Sequence, residues 1–516
     1  FSVSYAFRPG ARVARGVTYL FVQGFISSVI GVVYFVVLIN SSINPNALRT
    51  EEMGVYSILT FVLTLVQVFG TFALSSSAVK YIAQYVAEGH PEKARSVVTR
   101  VLQISLLTSM VLSAFLFYFA EWLSMLLLGT LIWAPLFRTL AFASFFTILH
   151  AQIGGFLQGA QRIGEMAALG FIYTVVDKLL AIYLLYTGWG LLGVVCSWLA
   201  GLGISSFAGL ILTARFLGIV GKPHPVKPLI NFSYPLYLSG VLGFAADWVD
   251  RLFILPYMGA VYLGIYSVAL RAAVVPGLIS SSIVGALFPK LSELYAQSGV
   301  ERLKEAFQAS TRYAVLIGFP MAVGLAALAY PVLILFAGLR YVEAALPLTV
   351  LCLAMLPGAL GIAIGPTLLT LERTKTASML TIASIFSNTG VCYVTLATLN
   401  LGMLGTAWAR VFASFIGFGL GAYVLRRIIK VTFDKEAIWK ASAACIIMTI
   451  AVFSLETLIY QINLLPIYVI IGSAVYFFSL IALKAIKKHD IELIYNYLPS
   501  GLKWLAVWLD RVVFIA

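Results

Sequence analysis

At 516 residues the chain is 61% hydrophobic and only 10% charged, with a mean hydropathy of +0.99. Soluble domains carry about 25% charged residues, so an ordinary cytosolic enzyme is excluded, and a disordered chain more firmly still. The 34 lysines and arginines against 20 acids give a formal charge of +14. They are scattered through short polar stretches and form no stripe, which argues against nucleic acid and for a topology signal in a polytopic membrane protein.

A helix needs about 20 apolar residues to cross the hydrocarbon core. Taken in chain order, that length predicts fourteen spans at 17–40, 54–77, 98–120, 137–160, 164–187, 190–214, 229–257, 260–288, 311–337, 343–370, 375–399, 402–425, 438–459 and 464–484. The first follows Arg8, Arg12 and Arg15 but is too long, and followed by too many others, to read as a cleavable signal. Residues 487–516 alternate charges with Leu502, Leu505, Trp508 and Val512, the pattern of a helix lying in the interface. The weakest boundaries are at 121–136 and around 229–288.

With the N-terminus in the cytoplasm, 27 of the 34 bases fall on the inside, whereas only Arg49, Arg138 and Arg340 fall outside. This distribution predicts a multi-pass protein of the cell membrane with both termini inside. Lys178, Arg251, Arg271 and Arg410 fall within spans. The single cysteines Cys196, Cys352, Cys392 and Cys445 show no ligand spacing, so neither a metal nor another cofactor is expected.

The chain resembles itself at a drifting offset. Gly54–Ser57 (GVYS) pairs with Gly264–Ser267 (GIYS), and Lys80, Tyr85 and Gly89 pair with Lys290, Tyr295 and Gly299, all at 210. Arg162 and Asp177 meet Arg373 and Asn388 at 211, and Gly190–Gly193 meets Gly402–Gly405 at 212. The division that follows is an N-terminal lobe 1–216, a linker 217–228, a C-terminal lobe 229–430, a helix pair 431–486 and the tail 487–516. Six spans per lobe is an even number, so the lobes run parallel, and in transporters so built the cargo sits between lobes that rock. Glycines four apart (Gly155/Gly159, Gly361/Gly365, Gly417/Gly421) read mainly as close helix packing. Pro276, Pro320 and Pro357 are candidate kinks.

Four stretches carry a resemblance that extends over essentially the whole chain: MGVYS (Met53–Ser57), LGIYSVALR (Leu263–Arg271), ADWVDRLFI (Ala246–Ile254) and LFPKLSELYAQ (Leu287–Gln297). With them the chain resembles the multidrug/oligosaccharidyl-lipid/polysaccharide (MOP) exporter superfamily, and within it the polysaccharide-transporter branch, the O-antigen-type lipid-linked oligosaccharide flippases. The resemblance implies an all-α polytopic fold of about 14 transmembrane helices, two parallel six-helix lobes plus a C-terminal helix pair, MATE-like in plan. It also implies movement of a polyprenyl- or dolichyl-diphosphate-linked oligosaccharide from the inner to the outer leaflet. Flippases of lipid-linked murein precursors carry charges inside the first helix. Span 17–40 has none, which sets that subgroup aside.

A charge at mid-bilayer requires a partner or an aqueous cavity. Asp247, Asp250 and Arg251 are spaced i, i+3, i+4, so they are expected on one helix face, as an ion pair or as a site. Arg271 has no acid within four residues on its own helix, and its fork suits a diphosphate. Lys178 and Arg410 are weaker candidates for phosphate, Arg410 being placed to snorkel. Lys178 follows Asp177 directly, about 100° around the helix, so the two are not expected to share one environment. Asp177, whose repeat mate is polar Asn388, is the expected cavity residue. Asp177, Asp247 and Asp250 are candidates to couple transport to H⁺ or Na⁺, and His150 reads as an interior histidine. Three acids and four bases make the interior mildly cationic, which favours an anionic headgroup over a cationic drug.

Rival readings are a multidrug exporter of the same fold, a membrane glycosyltransferase or polymerase, and a passive scramblase or scaffold for other polysaccharide-assembly proteins. No GxxxxGK[ST] loop exists; the nearest approach, Gly218–Lys222, is followed by Pro223. External connections are short and hold only Glu51, Glu52, Glu121, Glu343 and Glu456, which argues against an enzyme.

Overall fold

The computed structural model describes the backbone of residues 9–459, 461 and 464–486, and the side chains of these except 9–17, 275–286 and 288–290. It is all-helical among the described residues. Twelve helices are long and apolar enough to cross a membrane, and they correspond to twelve of the fourteen expected spans. Of the other two, span 229–257 lies in a 33-residue helix that contains Pro235, Pro256, Asp247, Asp250 and Arg251, and span 260–288 runs partly through undescribed side chains, with Ala260–Val274 as a shorter apolar helix. The expected interfacial tail, 487–516, lies outside the described residues.

The chain forms two compact units, 1–267 and 268–516. Unit 1 contains α1 (Pro9–Ile39), α2 (Thr50–Thr71), α3 (Leu74–Ala87), α4 (Pro91–Tyr118), α5 (Ala120–Leu128), α6 (Ala134–Gly159), α7 (Ile163–Tyr186), α8 (Gly190–Phe216), α9 (Val226–Met258) and the start of α10 (Ala260–Ala327). Here α6 packs against α3, α4 and α8, α7 lies between α1 and α8, and α9 packs on α2 and α3. The helix that begins the second sequence repeat therefore belongs, by its contacts, with the first six spans. The side chains turned outward are apolar: Leu107 is 65% exposed, Phe207 61% and Ile211 69%. That inversion is expected where the surrounding solvent is lipid.

Unit 2 contains the rest of α10, broken at Gly299 (φ 72°, ψ −158°), then α11 (Ala329–Ala337), the 3₁₀ turn Leu339–Ala344, α12 (Ala345–Leu353), α13 (Met355–Leu360), α14 (Ile364–Thr370), α15 (Thr374–Tyr393), the π-turn Val394–Thr398, α16 (Gly402–Ile429), α17 (Lys435–Leu458) and α18 (Leu465–Ala482). The expected span 343–370 is thus a broken one, with Pro357 inside its middle piece. The C-terminal pair α17–α18 packs on α10 through Val315, Phe319, Cys445, Met448 and Tyr476. Arg312 anchors the base of that pair, with Nη1 2.8 Å from Asp434 and Nη2 2.6 Å from the Ala485 carbonyl. Asp434 also caps α17 by accepting from the Ala437 N–H at 3.0 Å.

The two halves share their backbone punctuation. Left-handed residues fall at Gly89 and Gly299, Gln161 and Glu372, Gly188 and Asn400, Gly190 and Gly402, and Gly218 and Lys430, at offsets running from about 210 to 212. Helix ends require αL residues for local steric reasons, so their recurrence at the sequence offset is independent support for the repeat. Of the glycine pairs, Gly155 and Gly159 lie close against Ser75 and Val79 of α3, while Gly417 and Gly421 approach Ser384, Ile364 and Leu380. Gly365 meets nothing. The closest approach lies elsewhere. A Cβ on Gly54 would stand 1.9 Å from the Ala260 carbonyl oxygen, and one on its repeat mate Gly264 2.1 Å from the Thr50 oxygen.

Candidate functional site

Unit 1 gathers two clusters of charge inside its helices. The first is built on α7. The Asp177 side chain is fully buried, its Oδ1 accepts a 3.0 Å hydrogen bond from Ser197 Oγ on α8, and its Oδ2 lies 2.8 Å from Lys178 Nζ. That ammonium also stands 4.2 Å from the centre of the Tyr34 ring on α1. Gly201 makes the geometry available. It sits one turn beyond Ser197 on α8, and a Cβ there would come within 3.0 Å of Asp177 Cβ, so only glycine lets α8 approach closely enough. One turn before the pair, Gln23 Nε2 donates to Ser27 Oγ, which donates to Thr174 Oγ1, giving a neutral polar seam along α1 and α7.

This arrangement departs from the expectation in an instructive way. Neighbouring side chains do start about 100° apart, but the four-carbon stem of lysine folds back across one peptide and closes the pair. The end left within reach is Lys178, whose side chain is 20% exposed, and not Asp177, which is 0%. His150 on α6 packs its ring 5.5 Å from Tyr173, and its Nδ1 has no hydrogen-bond partner among the described residues. Asn388, the repeat mate of Asp177, is also buried, and its Oδ1 accepts from Cys392 Sγ at 3.5 Å.

The second cluster is built on α9. Asp250 is fully buried; Oδ2 accepts from Tyr266 Oη at 2.9 Å, and Oδ1 from the Arg251 backbone N–H at 2.9 Å. Arg251 lays its guanidinium 4.3 Å above the Trp248 ring, which meets Phe61 of α2 edge-on at 5.2 Å. The i, i+3, i+4 trio therefore does not share one environment. Asp247 is exposed, Asp250 buried and Arg251 half-buried, because the helix turns its buried stripe to α2 through Trp248 and Asp250. Asn40, at the repeat offset from Asp250, is likewise buried. Tyr266 has no exposed surface. Tyr266→Phe is expected to lower stability by about 1–2 kcal/mol, because it removes one of the bonds to a buried carboxylate. Thermal unfolding of the purified variant in detergent measures this, and an unchanged midpoint would show Asp250 satisfied without the hydroxyl.

The remaining candidates lie in unit 2: Arg271 is exposed and Arg410 half-buried, each with interactions of its own. Sequence reasoning missed Tyr34, Ser197, Trp248 and Tyr266. Their polar atoms carry no charge, so nothing in hydropathy singles them out, although Tyr266 stands in the repeated GVYS/GIYS motif.

Comparisons with known proteins bear on this arrangement. A family described as polysaccharide biosynthesis proteins matches residues 47–346. The probable low-salt glycan biosynthesis flippase of Haloferax volcanii is 21% identical over 315 residues, which cover 61% of this chain and 66% of that protein. The succinoglycan biosynthesis transport protein of Rhizobium meliloti is 26% identical over 307 residues, 58% of each chain. The alignment thus spans less than two thirds of the length of either relative. Among solved structures, the lipid II flippase MurJ in an inward closed conformation superposes with a TM-score of 0.74 at 18% identity, covering 89% of this chain and 97% of that one. An inward-facing multidrug transporter of the MATE family gives 0.68 at 16%, covering 80% and 98%. At such identities the two structures establish the fold.

Proposed function

The chain belongs to the polysaccharide biosynthesis protein family, and from that premise we propose that it is a flippase for a lipid-linked oligosaccharide. In this reading it moves a polyprenyl- or dolichyl-diphosphate-linked glycan from the inner to the outer leaflet of the cell membrane, with both termini in the cytoplasm. The halves 1–216 and 229–430 alternate access, and no bond of the cargo is made or broken. The relatives named as a glycan flippase and a glycan transport protein support this reading.

The observation that carries it is the set of cationic groups held within apolar helices with their ends still reachable. Lys178 is one-fifth exposed beside a buried acid, Arg251 is half-buried on an aromatic face, and Arg271 is exposed. A base inside a membrane protein that is neither wholly buried nor at an interface is suited to an anion passing through. Arg271 and Arg251 grip the diphosphate in this scheme, with Lys178 and Arg410 as further contacts. Asp177, Asp247 and Asp250 hold those bases in place or take up a coupling H⁺ or Na⁺. All but Arg410 lie inside the segment matched by the family.

Flipping of a fluorescent polyprenyl-diphosphate oligosaccharide in proteoliposomes tests the proposal. The wild type is expected to flip it, and Arg271→Ala to reduce the rate by about tenfold or more, the loss of a charge-assisted bond. Undiminished flipping by the variant would move the phosphate contact elsewhere. A wild type that flips nothing but exports cationic dyes would replace the proposal with a multidrug exporter of the same fold.

A further inference from the structure

A second group of bases lies outside the charge clusters of the helices, where α3, the start of α4 and the connection 217–228 come together in unit 1. The connection is strapped down along its length. Thr99 Oγ1 donates to the Ile219 carbonyl at 3.1 Å, Arg100 Nε to the His224 carbonyl at 2.8 Å, and Ser77 Oγ to the Leu229 carbonyl at 2.8 Å. His224 is nearly buried, with Nε2 3.2 Å from Tyr85 Oη, and its backbone N–H donates to the Ser96 carbonyl. Arg95 lies across left-handed Gly218 and uses only its Nε, which donates to the Leu217 carbonyl at 3.2 Å. Lys80 stands 4.2 Å from the Phe232 ring centre and 5.0 Å from that of Tyr81.

Lys80, Arg95, Lys222 and Lys227 are exposed and Arg100 is half-buried. Among the described residues no carboxylate pairs with any of the five. The two acids of the stretch are engaged elsewhere: Glu88 accepts from Gln84 and Glu92 pairs with His90.

The repeat supplies an internal control. In unit 2, after the same left-handed glycine, Gly299, the three bases that follow are paired with acids. Arg302 pairs with Glu305 at 2.7 Å, Lys304 with Glu301 at 2.6 Å and Arg312 with Asp434 at 2.8 Å. A general bias of bases to one side of the membrane would leave both stretches alike. In unit 1 the stretch keeps Lys80, Arg95, Arg100, Lys222 and Lys227 free of acids, and it holds the Nε of Arg95 and of Arg100 on backbone carbonyls. Arg100 Nη1 also donates to Gln103 Oε1 at 3.3 Å, so the donors left over, both Nη of Arg95 and Nη2 of Arg100, are held in a defined direction that suits phosphate oxygens. Exposed Val220, Ile230 and Tyr234 adjoin the bases and offer apolar surface beside them.

We infer that this surface is a binding site for the phosphate headgroup of an anionic membrane glycerophospholipid, separate from the charges within the helices. Arg95 and Arg100 hold the phosphate, Lys80, Lys222 and Lys227 supply field, and the acyl chains lie on the neighbouring apolar side chains. The inference goes beyond the flippase reading, since it concerns a lipid that is retained and not carried.

The test measures binding of dioctanoyl phosphatidylglycerol to the purified full chain in neutral detergent, by native mass spectrometry and titration calorimetry, with dioctanoyl phosphatidylcholine as the zwitterionic reference. Arg95→Gln with Arg100→Gln is expected to weaken phosphatidylglycerol binding about tenfold or more. Lys80→Gln with Lys222→Gln, neither of which makes a hydrogen bond, is expected to weaken it in the same direction without loosening the connection. Arg302→Gln with Lys304→Gln, which removes two acid-paired bases of unit 2, is expected to leave it within about twofold. Equal loss in the unit 2 pair, or no loss in either unit 1 pair, would overturn the site. Displacement of phosphatidylglycerol by a polyprenyl diphosphate at lower concentration would overturn the lipid assignment in favour of the cargo. Because binding is read without transport, failure of the flipping assay leaves this result standing, and the reverse holds as well.

Discussion

Lys178→Ala is expected to be the most damaging single substitution in unit 1, lowering stability by about 3–5 kcal/mol and abolishing transport. The argument rests on the asymmetry of the pair. Removing the lysine strands a carboxylate with 0% exposure whose Oδ2 has no hydrogen bond, leaving Ser197 as its one donor. Removing the acid instead leaves an ammonium that is one-fifth exposed and still faces the Tyr34 ring. Asp177→Ala should therefore cost less than Lys178→Ala. A double variant, Asp177→Asn with Lys178→Leu, should recover most of the loss, since no buried charge remains and Ser197 keeps a partner. Thermal unfolding of the three variants in one detergent gives the order directly. If Asp177→Ala melts below Lys178→Ala, the carboxylate is holding more than this lysine, and the proposed role of Lys178 as the reachable end of the pair fails.

Gly54→Ala and Gly264→Ala are expected to cost about 3 kcal/mol each and to lower the yield of folded protein. Both added methyl groups would meet backbone, at 1.9 Å from the Ala260 oxygen and 2.1 Å from the Thr50 oxygen, so no side-chain rotation relieves the clash. The start of α2 and the start of α10 approach through these glycines as closely as backbones can, which is how helices gain contact where no hydrophobic effect drives them together. Gly24→Ala is the control: a Cβ there meets nothing within 4 Å, and alanine favours helix by up to about 1 kcal/mol. Size-exclusion profiles after a temperature ramp distinguish the cases. A Gly54→Ala protein as heat-resistant as the wild type would show that α2 can move away freely, and the glycine would then serve no packing need.

The architecture was legible because the solvent is lipid. Backbone groups must bond within each span, so the length of an apolar run translates into a helix crossing, and twelve of the fourteen expected spans are recovered as such. Span 229–257 was read by the same apolar length as the others, and it lies within the 33-residue helix Val226–Met258. The repeat was legible through turn chemistry: Gly89 and Gly299, or Gly190 and Gly402, hold backbone conformations that most residues avoid, so the offset survives where apolar positions drift.

The candidate site was legible only as a set of charges. Asp177, Lys178, Asp250 and Arg251 stand out against apolar sequence because each must be matched by a partner or by water. Which of them is buried, and by what, depended on neighbours tens or hundreds of residues away: Ser197 and Tyr34 for the first pair, Tyr266 for Asp250. Periodicity places side chains around a helix axis but says nothing of a lysine stem folding back over its neighbour, or of a tryptophan drawing a guanidinium onto its face. The sequence by itself thus determined span positions, the twofold repeat and the family. The tertiary structure alone decided that Lys178 and not Asp177 is the reachable end, that Asp247 and Asp250 part company, and that Arg95 and Arg100 are held on carbonyls while Arg302 and Lys304 are paired with acids. The division has one physical cause. Burial in lipid and helix termination act on local sequence, whereas the partner of a charge is chosen by whichever distant side chain the packing brings within reach.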